Sequence, residues 1–161
     1  MTQPTQEQLK ELVNLYQSGK LDEAETTAQN LLKEFPNDLT CLNILGVVLD
    51  GKGQTEEAIK IYQKALQINE NSPETHFNMG SILHRLGRSN EARISYEKAI
   101  TIKSDFLNAH FNLGLVYQNL QSYKKAVESY QKAIELKPDY HEAIGAMGTA
   151  LQAQGELDEA I

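Results

Sequence analysis

Few side chains in this sequence could do chemistry, and they are scattered. Cys41 is the only cysteine among 161 residues and there are four histidines, a set that allows no internal disulfide and lacks the clustered spacing of a structural zinc site. No cation or histidine lies beside Cys41 in sequence to favour its thiolate, so it reads as an inert thiol. There is no glycine loop shaped to cradle phosphate, no nucleophile elbow, and no carboxylate pair that helical periodicity would place in a pocket. No catalytic residue, metal or cofactor is expected, and the direct reading is a non-enzymatic protein. What remains is amide and aromatic chemistry, carried by asparagines, glutamines, tyrosines and phenylalanines whose value depends on the elements that present them.

Composition narrows the setting. The chain is 40% hydrophobic and 23% charged, with 15 basic against 22 acidic side chains for a formal charge of −7. A soluble, ordered protein of about one domain is expected. The acidic balance, with a pI near 5.1, opposes phosphate backbones and anionic lipid, so neither nucleic acid nor a membrane is an expected partner. The polar N-terminus has no signal pattern, and the longest apolar stretch, Ile44 to Leu49, is too short to span a bilayer. The cytoplasm is the expected compartment.

A repeat of 34 residues organises the chain. Ala24, Ala58, Ala92, Ala126 and Ala160 stand at that interval, as do Gly46, Gly80, Gly114 and Gly148, then Tyr62, Tyr96 and Tyr130, then Gly19, Gly53, Gly87 and, skipping Gln121, Gly155. Anchored this way, residues 1–4 form a lead, residues 5–38, 39–72, 73–106 and 107–140 form four units, and residues 141–161 form a portion of a fifth. Within a unit, apolar residues such as Ile59, Tyr62, Ala65 and Leu66 follow a helical period. Two such stripes flank a short polar turn whose glycine accepts the left-handed conformation, so each unit reads as a helical hairpin. Ser72-Pro73, Pro36-Asn37-Asp38 and Pro138-Asp139 supply start signals at the joints. The glycine and alanine columns mark close helix crossings, and the tyrosines are expected to fill the volume between hairpins, each hydroxyl reaching solvent or a backbone partner.

These residues resemble the tetratricopeptide repeat family, most closely in the fourth unit: His110-x-x-Leu113-Gly114-x-x-Tyr117, then Ala126-x-x-x-Tyr130, then Pro138. Departures are Leu12 for the glycine and Ala28 for the aromatic in the first unit, which reads as a divergent N-terminal cap, and Glu70 and Ser104 where Pro36 and Pro138 stand. His76 and His110 share the column of Leu42 and Ile144, so they read as packing histidines rather than metal ligands. The resemblance implies an all-α fold, a right-handed α-α superhelix whose first helices line a concave, peptide-binding face. On that face it puts Asn43, Val47 and Asp50, then Phe77, Asn78, Ser81, His84 and Arg85, then Asn108, Phe111, Asn112, Leu115, Gln118 and Asn119. The expected peptide-binding set is Asn43, Phe77, Asn78, Ser81, Arg85, Asn108, Phe111, Asn112, Gln118 and Asn119. Its amides would pair with a peptide backbone without reading side chains.

Asn78 and Asn112, in one column, are similar to two rungs of the asparagine ladder in O-linked N-acetylglucosamine transferase repeat arms; Lys10, Ile44 and Ala146 interrupt the column. The carboxylate clamp of chaperone-binding members is not expected, because only Arg85 remains as an obvious inner cation. RNA binding of the pentatricopeptide kind is opposed by the 34-residue interval and the acidic pI. The fifth unit stops at Ile161, just as its second helix should begin, so its first helix is expected to lack a partner, with Met147, Leu151 and Leu157 facing water. Two further expectations follow: the chain is the truncated, substrate-recruiting arm of a larger glycosyltransferase- or sulfotransferase-type enzyme, or it self-associates through its incomplete fifth repeat. The leading expectation is a scaffold that binds extended peptide segments or partner helices.

Overall fold

The structure, a computed structural model, describes residues 3–159, with side chains described through Gly155. Nine helices follow one another among the described residues: α1 Gln6–Gln17, α2 Leu21–Glu34, α3 Leu39–Gly51, α4 Thr55–Ile68, α5 Pro73–Arg85, α6 Ser89–Ile102, α7 Leu107–Asn119, α8 Tyr123–Leu136 and α9 His141–Glu159. No strand occurs among them. Odd-numbered helices begin the units read from the sequence and even-numbered helices close them. Two compact units divide the chain, residues 1–78 and 79–161, with the division inside α5.

In the first unit, local chemistry sets the helix starts. Thr5 and Gln8 form a reciprocal capping box: the Thr5 N–H donates to Gln8 Oε1 at 2.8 Å, and the Gln8 N–H donates to Thr5 Oγ1 at 3.2 Å. Asp38 Oδ1 accepts the Cys41 N–H at 2.8 Å and so caps α3. Pro73 opens α5 behind Ser72, whose Oγ lies 3.4 Å from the Thr75 nitrogen. Gly19 and Gly53 take φ of 72° and 81° at the hairpin turns.

Packing within a hairpin rests on one recurring contact. A Cβ built on Gly46 would lie 2.5 Å from the Tyr62 ring, so the tyrosine of α4 sits directly on the glycine of α3. Tyr62, Ala58 and Ala65 are fully buried around it. The first hairpin inverts this arrangement. Leu12 and Ala28 hold the glycine and tyrosine positions, and both are completely buried. The two departures are therefore one exchange, large for small on the first helix and small for large on the second, which keeps the shared volume filled.

The second unit repeats the contact twice. A Cβ on Gly80 would lie 2.8 Å from Tyr96, and one on Gly114 2.4 Å from Tyr130. The tyrosines thus fill space inside their own hairpins rather than between hairpins, and the hydroxyls of Tyr96 and Tyr130 find side-chain partners rather than backbone ones. The turn after α5 uses Gly87 at φ 73°, whereas the turn after α7 bends through Gln121 at φ 56°. Glutamine there adopts a conformation that glycine would take without steric cost.

Two joints carry a histidine in place of a proline. His76 Nε2 in the first unit lies 2.8 Å from the Glu70 carbonyl, and His110 Nε2 in the second lies 2.8 Å from the Ser104 carbonyl. A carbonyl only accepts, so Nε2 carries the proton in both rings. Both histidines are buried, as packing residues should be. Glu70 and Ser104 hold the proline positions, so a ring N–H ties the joint that proline stiffens elsewhere.

One expectation fails at the C-terminal side. Gly155 does not end the first helix of the fifth unit: α9 runs through it to Glu159, and Gly155 lacks the positive φ of Gly19, Gly53 and Gly87. The helical preference of Gln152-Ala153-Gln154 and Glu156 to Glu159 outweighs the single glycine. The expected exposure of Leu157 and the Ala160 column lie outside the described side chains.

Candidate functional site

The sequence-derived site residues fall into both units. In the first, Asn43 is half-buried, and its Oδ1 accepts a 2.9 Å hydrogen bond from the Thr75 hydroxyl, which in turn lies 2.7 Å from Ser72 Oγ. This amide is occupied in tying α3 to the start of α5. Phe77 and Asn78 are half-buried near the end of the unit.

The second unit gathers the rest. Tyr96 reaches from α6 to donate its hydroxyl to Ser81 Oγ on α5 at 3.2 Å, and Asn112 Nδ2 on α7 donates to the same hydroxyl at 3.3 Å. One buried tyrosine thereby orients a serine and an asparagine on two successive odd helices. Burial raises the Tyr96 hydroxyl above the usual phenol range, a shift that its bonds to Ser81 and Asn112 oppose. In the next hairpin Tyr130 acts in the same way, donating to Gln118 Oε1 at 2.9 Å, and burial pushes it up to about 12. Both phenols stay protonated and donate under all ordinary conditions.

Asn112 is held by one amide hydrogen, which leaves its Oδ1 and second N–H without a partner among the described residues. Beside it Phe111 is half-buried, its ring 5.8 Å from that of Tyr130 and 5.0 Å from that of Tyr140, both at tilted angles. The aromatic cluster is thus flanked by an oriented amide. Asn119 is exposed, and its Nδ2 lies 2.9 Å from His84 Nε2. An amide nitrogen only donates, so this imidazole is neutral with its proton on Nδ1, and burial lowers the His84 pKa in agreement. Arg85 and Asn108 are exposed.

Tyr140 was missed in the sequence. Its signal was there: Phe106 and Tyr140 stand 34 residues apart, each three residues after a lysine. Lys103 lies 5.1 Å from the Phe106 ring centre and Lys137 lies 5.3 Å from that of Tyr140.

Elsewhere the chemistry is quiet. Cys41 is buried, and burial together with the Asp38 carboxylate pushes its thiol up to about 12. A cleft of about 410 Å³ in the first unit is lined by Pro4, Leu9, Phe35, Pro36, Leu39 and Ile68, and by none of the expected site residues. No cluster of three or more metal-ligating side chains occurs among the described residues, and no helix among them is long and apolar enough to cross a membrane.

Family models of the tetratricopeptide repeat match residues 7–38, 51–87, 80–121 and 107–140. The chain belongs to the tetratricopeptide repeat family. Among solved structures, MamA is 28% identical with a TM-score of 0.80, over 91% of this chain and 86% of that one. YrrB, described as a TPR protein with an unusual peptide-binding site, is 26% identical with a TM-score of 0.71, over 82% of this chain and 68% of that one. PilF of Pseudomonas aeruginosa shares the fold at 22% identity and a TM-score of 0.85, over 92% of this chain and 68% of that one. The fold class is the one expected, an all-α array of tetratricopeptide hairpins of the α-α superhelix type. Tetratricopeptide repeat proteins are in general non-catalytic scaffolds.

Proposed function

We propose that this tetratricopeptide protein is a non-enzymatic interaction scaffold that takes an extended peptide segment on its odd-numbered helices, with the second unit supplying the site. The observation that carries the reading is the pairing of Asn112, oriented by the Tyr96 hydroxyl, with the half-buried Phe111 beside Tyr130 and Tyr140. Asn112 Oδ1 and its second N–H would meet one peptide unit's N–H and C=O, while Phe111 and Tyr140 would cover an apolar side chain next to it. Asn108, Gln118, Asn119, Ser81 and Arg85 would add polar contacts in the same unit. YrrB, a relative with a described peptide-binding site, supports the class of ligand. The charge of −7 and the single buried thiol support a soluble partner met in the cytoplasm rather than nucleic acid or a membrane.

A display library of unstructured 15-residue peptides, panned on the full chain, tests this. Selected peptides should lose about tenfold in affinity with Asn112→Ala and more with Phe111→Ala, because about 1.4 kcal/mol corresponds to a factor of ten, the two hydrogen bonds to Asn112 contribute about 1 kcal/mol each, and a buried ring contributes about 1.5–3 kcal/mol. Peptides whose affinity is unchanged in both variants would overturn the site.

A further inference from the structure

The helix that carries Phe111 and Asn112 is free of formal charge. α7, Leu107–Asn119, has no aspartate, glutamate, lysine or arginine, and the side chains it exposes or half-buries include Asn108, Phe111, Asn112, Leu115, Gln118 and Asn119. α8, which packs on it, exposes Lys124, Lys125, Glu128, Lys132 and Glu135, so in this hairpin the charge sits on the even helix. The groups around Asn112 are dipoles as well. The Tyr96 hydroxyl joins Ser81 to Asn112, the Tyr130 hydroxyl holds Gln118, and His84, as acceptor of the Asn119 amide, is neutral. Among the described side chains of α9 and of the part of α5 in this unit, charge is confined to Arg85 and Glu142, one of each sign. Arg85 already interacts within the chain.

We propose that the segment taken by this site is uncharged: amide, hydroxyl or glycine residues on either side of one apolar side chain, held with an affinity that salt leaves unchanged. The inference rests on the site proposed above and adds the chemistry of its partner. A carboxylate or ammonium laid against α7 gives up hydration and finds no opposite charge on that helix, and an uncompensated charge is the costliest group to desolvate. Neutral donors and acceptors exchange their water for Asn112 Oδ1 and its N–H with a modest net gain. The protein's charge of −7 adds long-range repulsion of acidic segments. A basic segment is drawn by the same field, yet α7 offers it no carboxylate to pair with. An apolar side chain, by contrast, finds Phe111 and Tyr140.

The probes are peptides from the display library described above, panned on the full chain at about 0.15 M salt. The most enriched is then made with capped ends and titrated at about 0.01 and 0.15 M, where the Debye length falls from about 30 to about 8 Å. Enriched sequences should be depleted of Asp, Glu, Lys and Arg beside the apolar residue. The Kd should differ by less than about twofold between the two salts, and replacing one neighbour of the apolar residue by Glu, or by Lys, should weaken binding about tenfold. Enrichment of either charge there, or an affinity that falls about tenfold over that salt range, would overturn the inference. If such charged peptides still lose affinity with Asn112→Ala and Phe111→Ala, the site stands and only the chemistry of its partner is overturned. Uncharged peptides indifferent to both variants, or no enrichment of any peptide, would overturn the site and this inference together.

Discussion

Adding one methyl group to Gly114 measures how tightly the tyrosine sits on the glycine. The new Cβ would lie 2.4 Å from Tyr130 Cε1 and 2.6 Å from Cδ1, more than an ångström inside ordinary carbon contact of about 3.5–4.0 Å. The ring has little freedom to retreat, because Tyr130 is fully buried between Ala126 and Ala133 and its hydroxyl is bonded to Gln118. Overpacking of this kind costs roughly 1–3 kcal/mol, here near the upper end. Alanine regains about 1 kcal/mol of helix propensity over glycine. The net expectation for Gly114→Ala is a loss of about 2 kcal/mol, or a Tm lower by roughly 4–8 °C for a chain of this size. Gly148→Ala is the internal control: with nothing within 4 Å of its Cβ, it keeps the propensity gain and should be about 1 kcal/mol more stable than the parent. Urea unfolding followed at 222 nm gives both differences, and hydrogen exchange should localise the Gly114→Ala loss to α7 and α8, since repeat arrays open locally. A Gly114→Ala protein as stable as the parent would refute the reading of a filled socket. Adding Tyr130→Leu should restore some of the loss, whereas Tyr130→Phe, which keeps the ring, should not.

Other outcomes follow from the same structure. Ala28→Tyr alone should destabilise the first hairpin by roughly 1–3 kcal/mol, and Leu12→Gly/Ala28→Tyr should recover most of it; the denaturation midpoints decide. Cys41 should resist iodoacetamide at pH 8 in the folded protein and react once denatured, because burial holds its thiol near 12; mass spectrometry of the alkylated chain reads this. The His84 contribution runs opposite to that of a salt-bridged histidine. Its folded pKa is lowered by burial, so the unfolded state binds the proton first; the stabilisation is complete above the unfolded value near 6.5 and declines as pH falls through it. His84→Gln, which keeps an acceptor for Asn119, should flatten stability between pH 7 and 5. His110→Phe should keep the packing but lose the bond to the Ser104 carbonyl, costing about 1 kcal/mol and raising exchange at residues 103–106.

The hairpins were legible because glycine, alanine and tyrosine recur in columns that packing itself enforces. Ser72-Pro73 and Asp38 marked their helix starts for reasons of local hydrogen bonding. Other features depended on distances that no column reports. Leu12 and Ala28 looked like two departures, since only the shared volume reveals them as one exchange. Gly155 looked like a turn, yet α9 continues through it, because one glycine costs only about 1 kcal/mol of helix propensity among good helix formers. Among the expected site residues, the family resemblance assigned Asn43 and Asn112 to first helices of their units, and they lie on α3 and α7. It could not say that Thr75 engages the first or that the Tyr96 hydroxyl orients the second, because those partners lie 32 and 16 residues away. Tyr140 escaped notice because it sits in a joint rather than on the odd-helix face.

The inverted pair at Leu12 and Ala28 also bears on how near-identical hairpins avoid one another while the chain folds. An array built from one repeated contact offers each first helix several second helices of similar pattern. If α1 took α4 as its hairpin partner, Leu12 would be driven into Tyr62; if α3 took α2 as its hairpin partner through its glycine face, Gly46 would face Ala28 across an unfilled space. Either mismatch costs a few kcal/mol, comparable with the stability of a single hairpin. One exchanged pair thus works as an address, telling the first two helices which partner is theirs before the remainder of the array has formed.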